Sequence, residues 1–253
     1  MYIIIIFILG TIIGSFLNVC IYRIPKKESI AFPSSYCTLC NTSLKWYDLI
    51  PILSYLLLKG KCRYCRGYIT PQYPIIELLN GIIYTILLFH YGMSLDFIYF
   101  SIIISILLII SSIDYYHQII PDTLLLLLIA ITVLYRIAIY YTYDISISLP
   151  DSIISSLLSG LLFTIISLIS NEGMGGGDIK LIAILSFILG FRKAILNILL
   201  SFIIGAVISL LLLICGRKGR KDTIPFAPFI NISFFISSLW GESIIFIYLK
   251  SII

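Results

Sequence analysis

The sequence predicts an all-α fold, a polytopic bundle of about eight transmembrane helices. Apolar residues make up 60% of the 253 positions and charged residues only 11%, whereas about 25% of the residues of a soluble domain are charged. The mean hydropathy is +1.10. The apolar residues form continuous runs, many as long as the roughly 20 residues with which a helix crosses the hydrocarbon core. These runs lack the alternation that is typical of β-barrel strands.

Eight apolar runs follow one another along the chain. They cover residues 2–22, 75–91, 95–113, 119–141, 151–170, 179–190, 194–215 and 230–249. The sixth run is too short to span the bilayer, so we expect it to start inside the membrane or to draw on its flanks. Cys20 and Cys215 fall within apolar runs, and we expect both to be small core residues.

The placement of Lys and Arg predicts the orientation of the bundle, because basic residues collect in cytoplasmic loops. If the N-terminus lies outside, thirteen basic residues face the cytoplasm and four face the other side. The cytoplasmic set is Arg23, Lys26, Lys27, Lys45, Lys59, Lys61, Arg63, Arg66, Lys180, Arg217, Lys218, Arg220 and Lys221. The net charge of +5 reflects this bias, so we expect a lipid bilayer and no nucleic acid as partner. The first run has basic residues only after it, which indicates a retained helix of a multi-pass inner-membrane protein and not a cleaved signal peptide.

One polar insert interrupts the apolar runs and divides the chain into three parts. We predict a first transmembrane helix at 1–24, a cytoplasmic insert at 25–73 and the main transmembrane bundle at 74–253. The insert holds four of the six cysteines. Residues 49–58 (LIPILSYLLL) are apolar but too short to span, so we expect them to pack against the bundle or to lie in the membrane interface.

The cysteines of the insert form two CxxC pairs with 21 residues between them. The pairs are Cys37-Thr-Leu-Cys40 and Cys62-Arg-Tyr-Cys65. Two such pairs can close a tetrahedral zinc site; the alternative is disulfides or free thiols. Because the predicted topology puts the loop in the reducing cytosol, where structural disulfides are rare, we predict a structural zinc on these four cysteines.

Two aspartates stand at the predicted cytoplasmic ends of apolar runs. Asp114 follows Ser111-Ser112-Ile113, and Asp178 follows Gly173-Met174-Gly175-Gly176-Gly177. Two carboxyl groups that share one proton around a water molecule form the site of an aspartyl hydrolase. The alternative is that each aspartate separately caps a helix at the interface. Asp122 is the rival candidate, although its place after Pro121 favours a helix cap.

At these residues the sequence resembles the type IV prepilin peptidases, in the larger form with a zinc-binding insert. The matching segments, in order, are Gly14-Ser15-Phe16-Leu17-Asn18-Val19, Tyr22-Arg23-Ile24-Pro25, the two CxxC pairs with Asp48-Leu49-Ile50-Pro51 between them, Asp114, Ile120-Pro121-Asp122, Gly175-Gly176-Gly177-Asp178-Ile179-Lys180-Leu181 and Pro225-Phe226-Ala227-Pro228-Phe229. The resemblance implies catalysis by Asp114 and Asp178. It also implies cleavage of the short basic leader of prepilins or pseudopilins, after a glycine and before the apolar helix.

Many members of that family also methylate the new N-terminal amine with S-adenosylmethionine. The sequence departs from the family pattern at three places, and these departures affect which of the family's activities can be expected of this chain. Thr70-Pro71-Gln72-Tyr73-Pro74 stands where the family has Ser-x-Arg-Tyr-Pro, and Ala227 and Ser186 stand where it has glycine. None of the three touches the two aspartates, but the first two leave the methyltransferase activity open.

Two other functions stay open at the level of the residues. A secondary transporter would use Asp114, Asp178 and Glu77 as proton or cation relays. The chain lacks the matched halves with broken helices that many transporters have, and a zinc insert would then be unexplained. A presenilin-like intramembrane protease, which shares the glycine–aspartate element, would cut within an apolar segment.

Overall fold

The predicted all-α fold is confirmed by a computed structural model that describes residues 2–143, 148–170, 174–216, 219 and 223–252. Within these ranges the chain forms nine α-helices and no β-strand longer than an isolated bridge. The helices are α1 (Tyr2–Arg23), α2 (Leu53–Leu57), α3 (Gln72–Tyr91), α4 (Leu95–His117), α5 (Asp122–Tyr143), α6 (Leu149–Ile169), α7 (Gly176–Leu189), α8 (Phe191–Ile214) and α9 (Ala227–Ile252).

Seven of these helices are long and apolar enough to cross a membrane, as expected of a multi-pass membrane protein. They are α1, α3, α4, α5, α6, α8 and α9. Helix α7 corresponds to the sixth apolar run and has 14 residues. Its length of about 21 Å falls short of the roughly 30 Å of the hydrocarbon core. The apolar segment 49–58 contains only the five-residue helix α2, so it is too short to span, as predicted.

The chain divides into two compact units, residues 1–109 and 110–253. In the first unit α1 and α3 pack together in antiparallel fashion. A methyl group on Gly14 would lie 2.7 Å from the Cα atom of Glu77, and the Asn80 amide donates to the Gly10 carbonyl at 2.7 Å. Glycines at this interface let the two backbones approach closely, which is the usual basis of helix packing in membranes.

In the second unit α7 is the central helix, in contact with α5, α6, α8 and α9. Three of its apolar side chains, Leu181, Ile182 and Leu185, are fully buried. A helix that is apolar on every side is expected to be surrounded by protein or lipid. Its position at the centre of this unit means that its first turn, which carries Asp178, is fixed by several neighbours at once.

Polar side chains from α5 and α6 hold the C-terminal end of α7. The Arg136 guanidinium donates to the Phe187 carbonyl at 2.9 Å and to the Ser152 hydroxyl at 2.7 Å. A positive charge there complements the negative end of the helix dipole.

The turn from α7 to α8 is held by Asp151 of α6. Gly190 adopts a φ of 76°, and the Phe191 N–H donates to the Asp151 carboxylate at 3.1 Å. Asp151 therefore caps the first turn of α8, and a side chain at Gly190 would collide with it.

One sequence-based expectation about the free cysteines is wrong. Cys20 is buried as expected, but Cys215 is exposed. It follows Ile214, the last residue of α8, whose side chain is also exposed and is not part of a core. The predictions that named Gly173, Arg217, Lys218, Arg220 and Lys221 fall outside the described residues.

Candidate active site and cysteine cluster

Asp114 lies one turn before the end of α4 and is buried. Its Oδ2 atom accepts the N–H of Ala227, the first residue of α9, at 3.1 Å. One of the N–H groups that a helix N-terminus leaves without an internal partner is thereby satisfied. The positive end of the α9 dipole also points at this carboxyl group. The structure thus explains why the segment Pro225-Phe226-Ala227-Pro228-Phe229 belongs to the site.

A second bond ties the same two helices together one turn away. The Asn231 side-chain amide on α9 donates to the Ser111 hydroxyl on α4 at 2.8 Å. Together, the two bonds fix the end of α4 against the beginning of α9. Neither Ser111 nor Asn231 was expected to contribute to the site. The sequence signal that could have found them is their spacing of one helical turn from Asp114 and Ala227.

Asp178 is the third residue of α7, so its carboxyl group stands in the first turn of that helix. Its N–H donates to the Gly175 carbonyl at 3.0 Å. Its Oδ1 atom is buried and has no hydrogen-bond partner among the described residues. A buried carboxyl oxygen without a partner costs free energy, so this atom is open to a water molecule or a substrate group.

The structure brings Asp114 and Asp178 together. The carboxyl group of Asp178 lies close enough to Asp114 for the two charges to interact. The beginning of α7 can reach this place because Gly177 packs against the connection between α4 and α5. A methyl group on Gly177 would lie only 3.0 Å from the Cβ atom of Ile120. Two neighbouring carboxyl groups that are buried or half-buried cannot both ionise freely, so the pair is suited to sharing one proton.

Asp122 is not part of this pair. It begins α5, and its Oδ1 atom accepts from the Lys180 ammonium group at 2.8 Å. Both side chains are largely exposed, at 65% and 58%. The pairing also gives Lys180 a partner within the protein.

The four cysteines of the insert form a compact cluster. The sulfur atoms of Cys37, Cys40, Cys62 and Cys65 all lie within 4.8 Å of one another, and all four are free thiols. The Cys37 and Cys65 sulfurs are 3.9 Å apart. A tetrahedral zinc site with bonds of about 2.3 Å places its sulfurs about 3.8 Å apart. The donor set and its spacing therefore fit a metal ion such as zinc.

Each half of the cluster uses the same backbone turn. The N–H of Asn41 donates to the Cys37 carbonyl at 2.8 Å, and the N–H of Arg66 donates to the Cys62 carbonyl at 3.0 Å. Asn41 and Arg66 both have left-handed φ angles, 55° and 60°. The two turns wrap their cysteines around one point. A hydrogen bond with the Thr42 hydroxyl, above all, lowers the pKa of the Cys40 thiol to about 6, which favours the thiolate form that binds metals.

Asp48 lies outside the second cysteine turn in the sequence but bonds directly to two of its side chains. Its carboxylate accepts from the Arg63 guanidinium at 2.7 Å and from the Tyr64 hydroxyl at 3.0 Å. Burial raises the pKa of Asp48, but these bonds and the Lys45 N–H outweigh it, so that the pKa lies below the ordinary value. From the sequence alone, Asp48 has no role beyond its place in the family resemblance.

Two further charged residues have structural partners that the sequence did not reveal. Arg23 is buried and donates to the backbone carbonyls of Ser29 and Pro33 at 3.0 and 2.8 Å. It therefore holds the start of the insert in its fold. Glu77 is buried on α3 and accepts the N–H of Ile52 at 2.7 Å.

Comparison with known proteins assigns each half of the chain to the same enzyme family. Residues 8–91 match the bacterial peptidase A24 N-terminal domain, and residues 101–210 match the type IV leader peptidase family. The first region contains the cysteine cluster, and the second contains Asp114 and Asp178. No solved structure matches the chain.

Curated relatives match over almost the whole length. The chain is 35% identical to the prepilin leader peptidase/N-methyltransferase of Bacillus subtilis (strain 168), with 97% of each protein covered. It is 32% identical to the protein of that name from Legionella pneumophila, covering 92% of this chain and 89% of the relative. For the Pseudomonas aeruginosa protein the identity is 30%, with 96% and 92% covered. The chain therefore belongs to the type IV leader peptidase family.

Proposed function

We propose that this protein is a membrane aspartyl endopeptidase that removes the basic leader from type IV prepilins or pseudopilins. The observation that supports the proposal is that the half-buried Asp178 lies close enough to the buried Asp114 for their charges to interact. Membership of the leader peptidase family and the names of the curated relatives point to the same reaction. Hydrolysis of a peptide bond by two carboxyl groups needs one of them ionised and the other protonated.

The surroundings of the two aspartates suggest how the roles divide. Asp114 accepts an N–H at the beginning of α9, and a hydrogen bond of that kind favours the charged form of a carboxyl group. In the proposed mechanism Asp114 takes a proton from the attacking water. Asp178, whose Oδ1 atom has no partner among the described residues, carries the shared proton and donates it to the oxygen of the scissile carbonyl. The water oxygen thereby bonds to the carbonyl carbon. The C–N bond then breaks as Asp114 passes the proton that it took from water to the departing amine, and Asp178 recovers its proton as the carbonyl group re-forms.

We further propose that the site opens at the cytoplasmic face, with the N-terminus of the chain outside. The excess of basic residues in the loops on one side supports this orientation. A prepilin is an apolar helix with a charged cytosolic leader, so its cleavage point lies at the same depth as the two aspartates. Reporter fusions to the loops on either side of α4 test the orientation, and reversed signals would refute it.

The decisive experiment compares cleavage of a pilin-like precursor in membranes by wild type and three variants. Asp114→Asn and Asp178→Asn keep the shape of the side chain and remove the titratable proton, so we expect both to abolish cleavage. Asp122→Asn is the matched control, because it makes the same change at an exposed aspartate outside the pair. Cleavage that survives in Asp114→Asn but not in Asp122→Asn would replace the proposed pair.

Two other outcomes would replace the proposed function itself. Cutting within the apolar segment, without need of the leader glycine, would indicate a presenilin-like protease. Proton-coupled uptake by reconstituted vesicles, with no cleavage by correctly inserted wild type, would indicate a transporter.

We propose that the cysteine cluster binds one structural zinc ion. The donor set offers four sulfurs and no open position, so the metal would hold the fold of the insert and would not take part in the reaction. Elemental analysis of the purified protein tests this assignment: we expect about one zinc per chain, and absence of zinc with all four thiols intact would refute it.

A second activity, methylation of the new N-terminal amine, is proposed from the names of the relatives. S-adenosylmethionine would supply the methyl group, and no residue of this chain is assigned to it. Mass spectrometry of the mature pilin distinguishes the two cases. An N-terminus heavier by one methyl group supports the activity, and an unmodified amine produced in the native cell counts against it.

The division of the chain into a first transmembrane helix (1–24), an insert (25–73) and a catalytic bundle (74–253) stays a prediction. Both proposed catalytic residues fall in the last part. Expression of the last part together with a separate fragment that contains the first two parts would test whether the bundle forms the catalytic site.

A further inference from the structure

The apolar segment 49–58 is attached to the side of a transmembrane helix. Ile52, just before α2, donates its N–H to the Glu77 carboxylate on α3 at 2.7 Å. Glu77 is 6% exposed. Carboxyl groups within spanning helices are expensive and usually have a specific partner. This contact fixes the position of the segment relative to α1 and α3, which belong to the same compact unit.

The contact places the segment at membrane depth. Glu77 is the sixth residue of α3, about 7 Å from the start of that helix. Glu77 lies opposite Gly14 of the neighbouring helix α1. Gly14 is nine residues before Arg23, the last residue of α1, so the two are about 13 Å apart along the helix axis. Arg23 is the first basic residue after the first apolar run, and basic residues collect just outside the hydrocarbon core, so we infer that the membrane surface lies near the end of α1. Ile52 therefore lies on the membrane side of that surface.

The backbone of the segment is suited to an environment without water. In lipid each N–H must find a partner within the protein. The N–H groups of Ser54, Leu56, Leu58 and Gly60 bond to carbonyls within the segment, at 2.9–3.1 Å. Pro51 has no N–H, and Ile52, which has a left-handed φ of 62°, is bonded by Glu77. Glu77 thus satisfies a donor that the local turn leaves open.

The side chains of the segment match the same environment. Leu53, Leu56 and Leu57 are exposed, and Leu57 is 82% exposed. Lysines flank the segment, with Lys45 before it and Lys59 and Lys61 after it. Exposed leucines between basic residues are typical of segments that lie in the membrane interface. Lysine side chains of this kind extend their charged ends to the lipid head groups.

We propose that residues 49–58 form a re-entrant segment whose leucines enter the acyl chains of the leaflet on the side of the insert. The occupant of this surface is lipid, because the segment stands at the depth where lipid surrounds α1 and α3. The segment holds the cysteine insert against the membrane, with Glu77 as the anchor on α3. This role does not depend on the peptidase activity proposed above.

Tryptophan fluorescence in reconstituted vesicles tests the proposal. In a chain whose two tryptophans are replaced, Trp46→Phe and Trp240→Phe, the substitution Leu57→Trp places one reporter on the segment. Tyr68→Trp is the matched control, because Tyr68 is equally exposed, at 79%, but lies in the second cysteine turn. We expect phosphatidylcholine brominated in its acyl chains to quench the Leu57→Trp emission roughly twofold or more, and to leave the Tyr68→Trp emission unchanged.

Leu53→Trp repeats the measurement at a second exposed leucine of α2. The proposal would be overturned if the tryptophans at both leucine positions emitted at wavelengths as long as that of Tyr68→Trp and were not quenched. Blue-shifted emission without quenching by the brominated lipid would also overturn it, because protein would then cover the segment.

Variants of Glu77 test the anchor. Glu77→Gln retains an oxygen that can accept the Ile52 N–H, so we expect the quenching of Leu57→Trp to persist. Glu77→Leu removes the acceptor, and we expect the quenching to fall toward the level of the Tyr68→Trp control. Unchanged quenching in Glu77→Leu would refute the anchoring role. Cleavage of a precursor, measured in parallel, reports on the proposed peptidase separately, because the quenching does not require it.

Discussion

The cysteine cluster and the carboxyl pair are both sets of side chains that meet in space, but the chain assembles them in opposite ways. The cysteines come from two short turns, and the outermost two are 28 positions apart. Within each turn the backbone forms its own hydrogen bonds. Asp114, by contrast, is held by Ala227, 113 positions further along the chain. Asp178 reaches it only because α7 is fixed by four neighbouring helices.

The difference shows what kind of information specifies each site. A site made from local turns depends on the spacing of a few residues, and it can form as soon as two short segments meet. A site made between helices depends on the packing of the whole unit. We therefore expect the carboxyl pair to be sensitive to changes far from it, and the cysteine cluster to be sensitive mainly to its own residues and their immediate supports.

The largest effect is expected at the two aspartates. Each single variant, Asp114→Asn or Asp178→Asn, should lower the rate of precursor cleavage by roughly a thousandfold or more, and the double variant should be no worse than the single ones, because residues that act as a unit are not additive. Quantifying the residual cleavage in membranes measures this. A double variant whose loss equals the product of the two single losses would mean that the carboxyl groups act independently.

The next largest effect is expected at the cysteine cluster. Cys40→Ser should reduce the bound metal from about one ion per chain to near zero, because a structural zinc site needs all four ligands. Elemental analysis and limited proteolysis of the insert would measure the loss of metal and of order. Cys215→Ser is the matched control and should keep the metal, since Cys215 lies at the end of α8. Equal metal content in the two variants would contradict the assignment.

A smaller effect is expected from the support of Asp114. Asn231→Ala removes the bond to Ser111 and leaves that hydroxyl without this donor, so we expect cleavage to fall roughly tenfold. Ser233→Ala provides the comparison on the same helix, because Ser233 is buried and donates to the Phe229 carbonyl of its own helix. Initial rates in matched membranes distinguish the two variants, and similar rates would show that the bond between Asn231 and Ser111 does not support Asp114.

The smallest effect is expected at the exposed ion pair between Asp122 and Lys180. Lys180→Ala should change cleavage by no more than about threefold, because ion pairs between exposed side chains contribute little. The same cleavage assay, repeated at high salt, measures it. A loss of cleavage comparable to that of Asn231→Ala would contradict this expectation and would place Lys180 in the active site.

Most of the helices and both sets of candidate residues could be predicted from the sequence. Apolar runs predict where a helix can cross a membrane, and paired cysteines predict a local turn. Arg23 and Asp48 could not be assigned, since their partners are backbone groups and side chains that no regular spacing reveals. Asn231 lies one helical turn from Ala227, but this spacing indicates a role only once α9 is known to begin at Asp114. Cys215 was placed wrongly because apolar sequence does not distinguish a residue that faces lipid from one that faces protein.

The restraint on both ends of α7 has a consequence for how this helix tolerates change. Its first turn carries Asp178, and its last turn is bonded to Arg136 at Phe187. One residue added between these points would rotate one end relative to the other by about 100°. Asp178 would then turn away from Asp114 although neither residue had changed. The number of residues in α7 therefore sets the direction in which Asp178 points. Apolar side chains of this helix can be exchanged, but residues cannot be inserted or deleted.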